Sequence, residues 1–183
     1  MCKIVYLTCK RFNSEAKTFR NDLAEELRRR NVEVVTGNST DIFNFQRRHK
    51  TYGIAIAFDF YEEGKGSGLT LNRNCSNIGR NFAYSLCNSI DSLLPAIVWR
   101  NFEFVDSEDR EWKLYFEKIS STVRAIFYLC TKTDPTEWNL YSTVYGDLIK
   151  AFADEIVRCL RSDYDSENYR KRVMSAKLKL RKN

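Results

Sequence analysis

The chain holds one histidine, two prolines and seven glycines in 183 residues. A single imidazole cannot supply a catalytic zinc centre with several His ligands, and it leaves little with which to build a Cys–His nucleophile. So little proline and glycine excludes long linkers and collagen-like repeats. No apolar run approaches the ~18 residues of a membrane span. The six cysteines (Cys2, Cys9, Cys75, Cys87, Cys130 and Cys159) include no C-x-x-C pair, which argues against a zinc finger. Met1–Thr8 runs straight into a strand-like pattern, without the basic and then long apolar stretch of a secretory leader. Free thiols in a reducing, cytoplasmic setting are the expectation. What is present is ample core material: 43% of residues are hydrophobic and 14% aromatic, enough to exclude a disordered chain.

The net charge of +6 is unevenly placed. Arg170, Lys171, Arg172, Lys177, Lys179, Arg181 and Lys182 stand in the last sixteen residues with no acid among them. The rest of the chain is close to neutral, so the basic character belongs to a tail rather than to a domain face. Such a tail is a solvated terminus or a contact for a polyanion, either nucleic acid or an anionic surface.

Lys3–Thr8 reads as a first strand. Ser14 caps a helix to about Arg30 whose apolar stripe is Ala16, Phe19, Leu23 and Leu27. Val32–Val35 is a short strand, and a helix over Asp41–Lys50 follows a Ser39/Thr40 cap. Gly53–Phe58 is apolar without alternation, as in a strand covered on both faces. Leu69–Leu71 is expected at a sheet edge. Ser76–Ile90 is a helix with Ile78, Phe82, Leu86 and Ile90 spaced by four. Ala96–Trp99 and Trp112–Phe116 are strand candidates on either side of the acidic turn Asp106–Asp109, and Val123–Leu129 is a buried strand. Asp134-Pro135-Thr136-Glu137 starts a helix with a cap, a proline at the first position and a Glu to close a capping box. Gly146–Leu160 is the last strong helix. The reading is α/β: a three-layer, mostly parallel twisted sheet with helices on both faces, in a domain over 1–165 with a basic tail over 166–183.

Ligands of such sheets bind beyond the carboxyl ends of the strands, here near Cys9–Arg11, Asp59–Tyr61 and Leu129–Thr131. Asp59 with Glu62 and Glu63 offers oxygens to a hard cation. Cys9 beside Lys10 and Arg11 offers a thiol in a positive setting. Gly64–Gly68 does not match a phosphate loop and is followed by a strand rather than a helix. His49, within Gln46–Lys50, and the cluster Arg47, Arg48, Lys50 and Tyr52 read as a solvated face.

From Lys3 to Leu160 the order of elements resembles the zinc-dependent N-acetylmuramoyl-L-alanine amidases, particularly phage endolysin catalytic domains. The likeness is carried by the Lys-Ile-Val first strand, the helix ending Leu23–Arg30, Val32–Val35, the Tyr52–Phe60 strand with its Gly64–Gly68 turn, Ala125–Leu129 and the helix Gly146–Leu160. The resemblance implies where chemistry would sit, and the residues there differ. The family has Gly-His after the first strand, where Cys9-Lys10 stands. Glu15 lies near the ligand Glu of the first helix, but aligns only with a shift. Asp59 takes roughly the place of a His ending the third strand, and Leu129 that of a catalytic Glu. The resemblance therefore implies an amidase-type fold without zinc or its reaction, and no cofactor. Cys9, Lys10, Glu15, Asp59, Glu62 and Leu129 are the residues expected in the altered cleft.

The first functional expectation is a non-catalytic binding or regulatory protein, of phage origin in line with the endolysin likeness, that holds a protein partner. The alternatives are a hydrolase rebuilt around Asp59, Glu62 and Glu63 or around Cys9, and a nucleic-acid accessory protein acting through the tail.

Overall fold

The computed structural model describes residues 4–51, 53–63, 66–71, 76–94, 99–104, 112, 115 and 117–161. Its elements, in chain order, are β1 (Ile4–Cys9), α1 (Ser14–Arg29), β2 (Glu33–Thr36), α2 (Ser39–His49), β3 (Gly53–Tyr61), β4 (Ser67–Leu71), α3 (Asn77–Asp91), β5 (Trp99–Phe104), β6 (Val123–Thr131), α4 (Pro135–Thr143) and α5 (Tyr145–Leu160). One six-stranded sheet runs in the order β2-β1-β3-β6-β4-β5. Every pairing is parallel except that of β4 with β6. The mostly parallel α/β reading holds.

Two cores flank this sheet. On one face β1, β3 and β6 send Val5, Leu7, Ile54, Ile56, Phe58, Ala125 and Phe127 against α1, α3, α4 and α5. Phe152 of α5 is the centre of that core, with its ring 5.4 Å from Phe19, 5.4 Å from Phe58 and 5.1 Å from Phe127. The three contacts are edge-on, the favoured geometry for aromatic rings. On the other face Ile4, Tyr6, Ala55, Ala57 and Ile126 pack against Ile42 of α2 and against Trp112, Tyr115 and Ile119. Strand side chains alternate between the faces, so the continuous apolar run of β3 serves both cores.

Several expectations change. Trp112 and Tyr115 are helical, not part of a strand. Trp112, Tyr115 and Ile119 are spaced by three and four, which puts them on one helical stripe under the sheet. Leu69–Leu71 belongs to an interior strand, because β5 pairs outside it. Of the Ala96–Trp99 candidate only Trp99 lies among the described residues, as the first residue of β5. The turn Asp106–Asp109 and the tail, including Arg170, Lys171, Arg172, Lys177, Lys179, Arg181 and Lys182, lie outside the described residues. Ile78 falls off its stripe and is 45% exposed. Steps of four drift ~40° each around a helix, so Gly79, Ala83 and Cys87 share the buried face with Phe82, Leu86 and Ile90. The caps shift by one residue: Asn13 caps α1 and Asn38 caps α2, the latter in a capping box with Asp41.

Candidate functional site

The carboxyl ends of β1, β3 and β6 lie side by side in the parallel part of the sheet. β3 continues to Tyr61, so Asp59 is a residue of the strand rather than of the loop after it. By the period of two it follows Ala55 and Ala57 onto the α2 side of the sheet. It is 2% exposed.

Three residues from three elements meet at this carboxyl. The Lys10 ammonium, just past β1, stands 3.5 Å from Asp59 Oδ2. Asn13 Nδ2 donates to Oδ1 at 3.0 Å, and the Phe60 backbone N–H donates to the same oxygen at 2.9 Å. The other end of the Asn13 amide accepts from Ala16 N at 3.0 Å, so one side chain caps α1 and anchors it to β3. The turn is closed by Lys10 N donating to Phe58 O and Asn13 N donating to Lys10 O. Burial pushes the Asp59 carboxyl up from its ordinary value despite Lys10 and the two N–H donors.

Phe12 sits at the tip of this turn at φ 69°. It is 94% exposed, with the Arg11 guanidinium 5.1 Å from its ring centroid. A left-handed conformation is costly for a bulky residue, and the bonds on either side hold it there.

A second pair lies farther out. Lys132 Nζ, past the end of β6, is 2.8 Å from Glu15 Oε1, and the Ser14 hydroxyl donates to Oε2 at 2.8 Å. These donors hold the Glu15 carboxyl down at about 2. Below it, the Glu137 carboxylate of α4 accepts from Thr131 N at 2.6 Å, so it fastens β6 rather than closing the expected capping box. Asp134 caps α4 through Thr136 N and Glu137 N.

The remaining expected residues do not join this cluster. Cys9 is buried on the opposite face, in the aromatic core, and its Sγ faces Arg20 Nη1 at 3.6 Å. Leu129 lies in the same core rather than in a cleft, since β6 runs two residues farther than expected. Glu62 and Glu63 are exposed, and the Glu62 carbonyl accepts from the Thr133 hydroxyl. His49 ends α2, just before β3 begins, and therefore lies at the other end of the strands. Its ring centroid lies 4.3 Å from that of Phe45, with the planes tilted by 31°.

Sequence reasoning missed Asn13, Lys132 and the pair Tyr61–Tyr128, whose rings stack 4.3 Å apart at 8°. Asn13 precedes a strong helix and carries a cap signal that Ser14 obscured. Gly68 belongs to the same surface, because a Cβ there would lie 2.3 Å from the Tyr61 hydroxyl.

A dication does not fit these residues. A metal needs several unprotonated donors turned toward one point. Here each oxygen of Asp59 and Glu15 already faces an ammonium, N–H or O–H group. An ammonium beside Asp59 repels a second cation. Among the described residues no three His, Cys, Asp or Glu side chains gather as metal ligands.

No protein-family model matches the chain, and neither does any curated protein. Solved structures do. The chain is similar to a Neisseria meningitidis protein assigned as an N-acetylmuramoyl-L-alanine amidase, with a TM-score of 0.61 and 18% identity over 85% of this chain and 94% of that one. It is similar to the catalytic domain of the amidase CwlV from Bacillus (Paenibacillus) polymyxa, with a TM-score of 0.58 and 13% identity over 87% and 98% of the two chains. It is also similar to the CwlD amidase of Clostridioides difficile, solved in complex with the GerS lipoprotein, with a TM-score of 0.57 and 11% identity over 87% and 99%. The chain has the fold of an N-acetylmuramoyl-L-alanine amidase catalytic domain. At these identities the likeness is one of fold, and no helix among the described residues is long and apolar enough to cross a membrane.

Proposed function

We propose that this protein is an amidase-fold binding or regulatory protein that holds a protein partner and does not hydrolyse cell-wall amides. The observation that carries the reading is the rim itself. Where the strands converge there are two lysine–carboxylate pairs, Lys10–Asp59 and Lys132–Glu15, and their oxygens are engaged by donors. Neither carboxylate is placed to activate water. Glu15 stays ionised but is held by Lys132 and Ser14, and Asp59 is buried with a lysine against it. Support for a partner-holding role comes from Phe12 and Arg11, because exposed aromatic and arginine side chains are the residue types that anchor interfaces. The CwlD structure, in complex with a lipoprotein, is an instance of this fold engaging a protein.

The test is a muropeptide cleavage assay with and without added zinc, alongside elemental analysis of the purified protein. No released stem peptide and no stoichiometric zinc are expected. Turnover that a chelator abolishes would establish the rebuilt-hydrolase alternative instead.

The basic segment supports a second contact. Seven lysines and arginines in the last sixteen residues, with no acid, suit a polyanion such as nucleic acid. Salt-dependent RNA or DNA binding that disappears when 168–183 is deleted is the expected result for that reading. Cys9, Cys87, Cys130 and Cys159 are free thiols. They fit the cytoplasmic placement proposed for the protein.

A further inference from the structure

We propose that the Lys10 ammonium is the resident counter-charge of this rim and makes buried Asp59 tolerable without a metal. A buried carboxylate is tolerated only when it is paired or coordinates a cation. Asp59 is 2% exposed, and Lys10 Nζ is 3.5 Å from its Oδ2. The other oxygen is filled by Asn13 Nδ2 and Phe60 N, which are neutral donors. Lys10 thus supplies the full positive charge, and the carboxylate joins three pieces of chain: the end of β1, the cap of α1 and β3.

The ammonium also has the exposure such a part needs. Its side chain is 44% exposed, so part of its hydration survives while Asp59 loses nearly all of its own. Lys132 and Glu15 make a second link, from the first turn of α1 to the segment after β6. The inference rests on the non-catalytic reading above and names what replaces a metal as the tie between these strands.

The test is thermal unfolding of the full chain as five proteins: the parent, Lys10→Met, Lys10→Arg, Asp59→Asn and the double variant. The parent is also melted with excess EDTA and with excess zinc. The parent melting temperature is expected to stay unchanged under both treatments. Lys10→Met is expected to lower it by roughly 4–8 °C, because it leaves Asp59 buried without its cation. Asp59→Asn, which keeps an oxygen for Asn13 and Phe60, is expected within about 2 °C of the parent. The double variant is expected to recover most of the Lys10→Met loss. Lys10→Arg serves as the folded control and is expected to melt with the parent.

A Lys10→Met protein that melts like the parent, or a double variant no more stable than Lys10→Met alone, overturns the inference and leaves the non-catalytic reading standing. A parent that loses stability in EDTA overturns both. Muropeptide cleavage by a parent with the predicted Lys10–Asp59 coupling overturns the non-catalytic reading alone.

Discussion

Asp59 and Glu15 each face a lysine at the same edge of the sheet, yet their carboxyls shift in opposite directions. Burial raises Asp59, while Lys132 and Ser14 draw Glu15 down to about 2. The inner pair lies under the turn between β1 and α1, where Asp59 has almost no water. The outer pair is about one-third exposed on both sides. The same two chemical groups are thus a cost at one position and a modest gain at the other, and hydration decides which.

Substitutions separate the two pairs, from the inner one outward. Asn13→Ala removes both the α1 cap and a donor on buried Asp59, and is expected to cost about 2–3 kcal/mol in urea unfolding. Lys10→Met is expected to cost about 2 kcal/mol. That is less than for a fully buried pair, because the Lys10 head is half in solvent. Phe12→Gly works the other way. It relieves the left-handed strain at φ 69° and is expected to stabilise by about 0.5–1 kcal/mol, net of the greater entropy of an unfolded glycine. If Phe12 anchors a partner, that gain comes with weaker binding. Lys132→Met, in the outer pair, is expected to change stability by less than about 1 kcal/mol and to lose even that in high salt.

Acid separates the pairs without mutation. Glu15 has a lowered folded pKa, so its contribution is present above the ordinary 4.5 and is lost as pH falls toward 2. Asp59 has a raised folded pKa, so its ionised form burdens the fold at neutral pH and the burden lifts as it takes up a proton. A pH series of unfolding free energies should show Lys132→Met converging on the parent as pH falls from 4.5 to 2. The penalty of Lys10→Met should shrink as Asp59 protonates.

Much of the architecture was readable from periodicity. Gly53–Phe58 announced a strand buried on both faces, and Phe19, Leu23 and Leu27 announced the buried stripe of α1. Asp134-Pro135 announced the start of α4, although the Glu137 side chain went to Thr131 N instead of the cap. Failures came where two periods compete. Trp112–Phe116 is too short and too aromatic for composition alone to distinguish strand from helix, and only the longer spacing to Ile119 decides. The reversal of β4 relative to β6 left no mark in Leu69–Leu71 itself, since register and direction are tertiary properties.

Of the residues expected at the carboxyl ends of the strands, Lys10 pairs with Asp59, while Glu15 pairs with Lys132 farther out. Cys9 and Leu129 went to the aromatic core because adjacent strand residues face opposite sides, and a strand end misplaced by two residues hides which side matters. Asn13 and Lys132 were not legible as partners, because each pairs with a residue brought near only by the fold.

Either Lys10 or a bound cation neutralises Asp59. A high-resolution crystal structure of the protein grown in excess zinc, with anomalous data at the zinc edge, distinguishes the two most directly. Lys10 Nζ against Asp59 Oδ2, with no anomalous peak at the rim, is the expected result. A zinc ion bound by Asp59 or Glu15, with the lysines turned away, would contradict it.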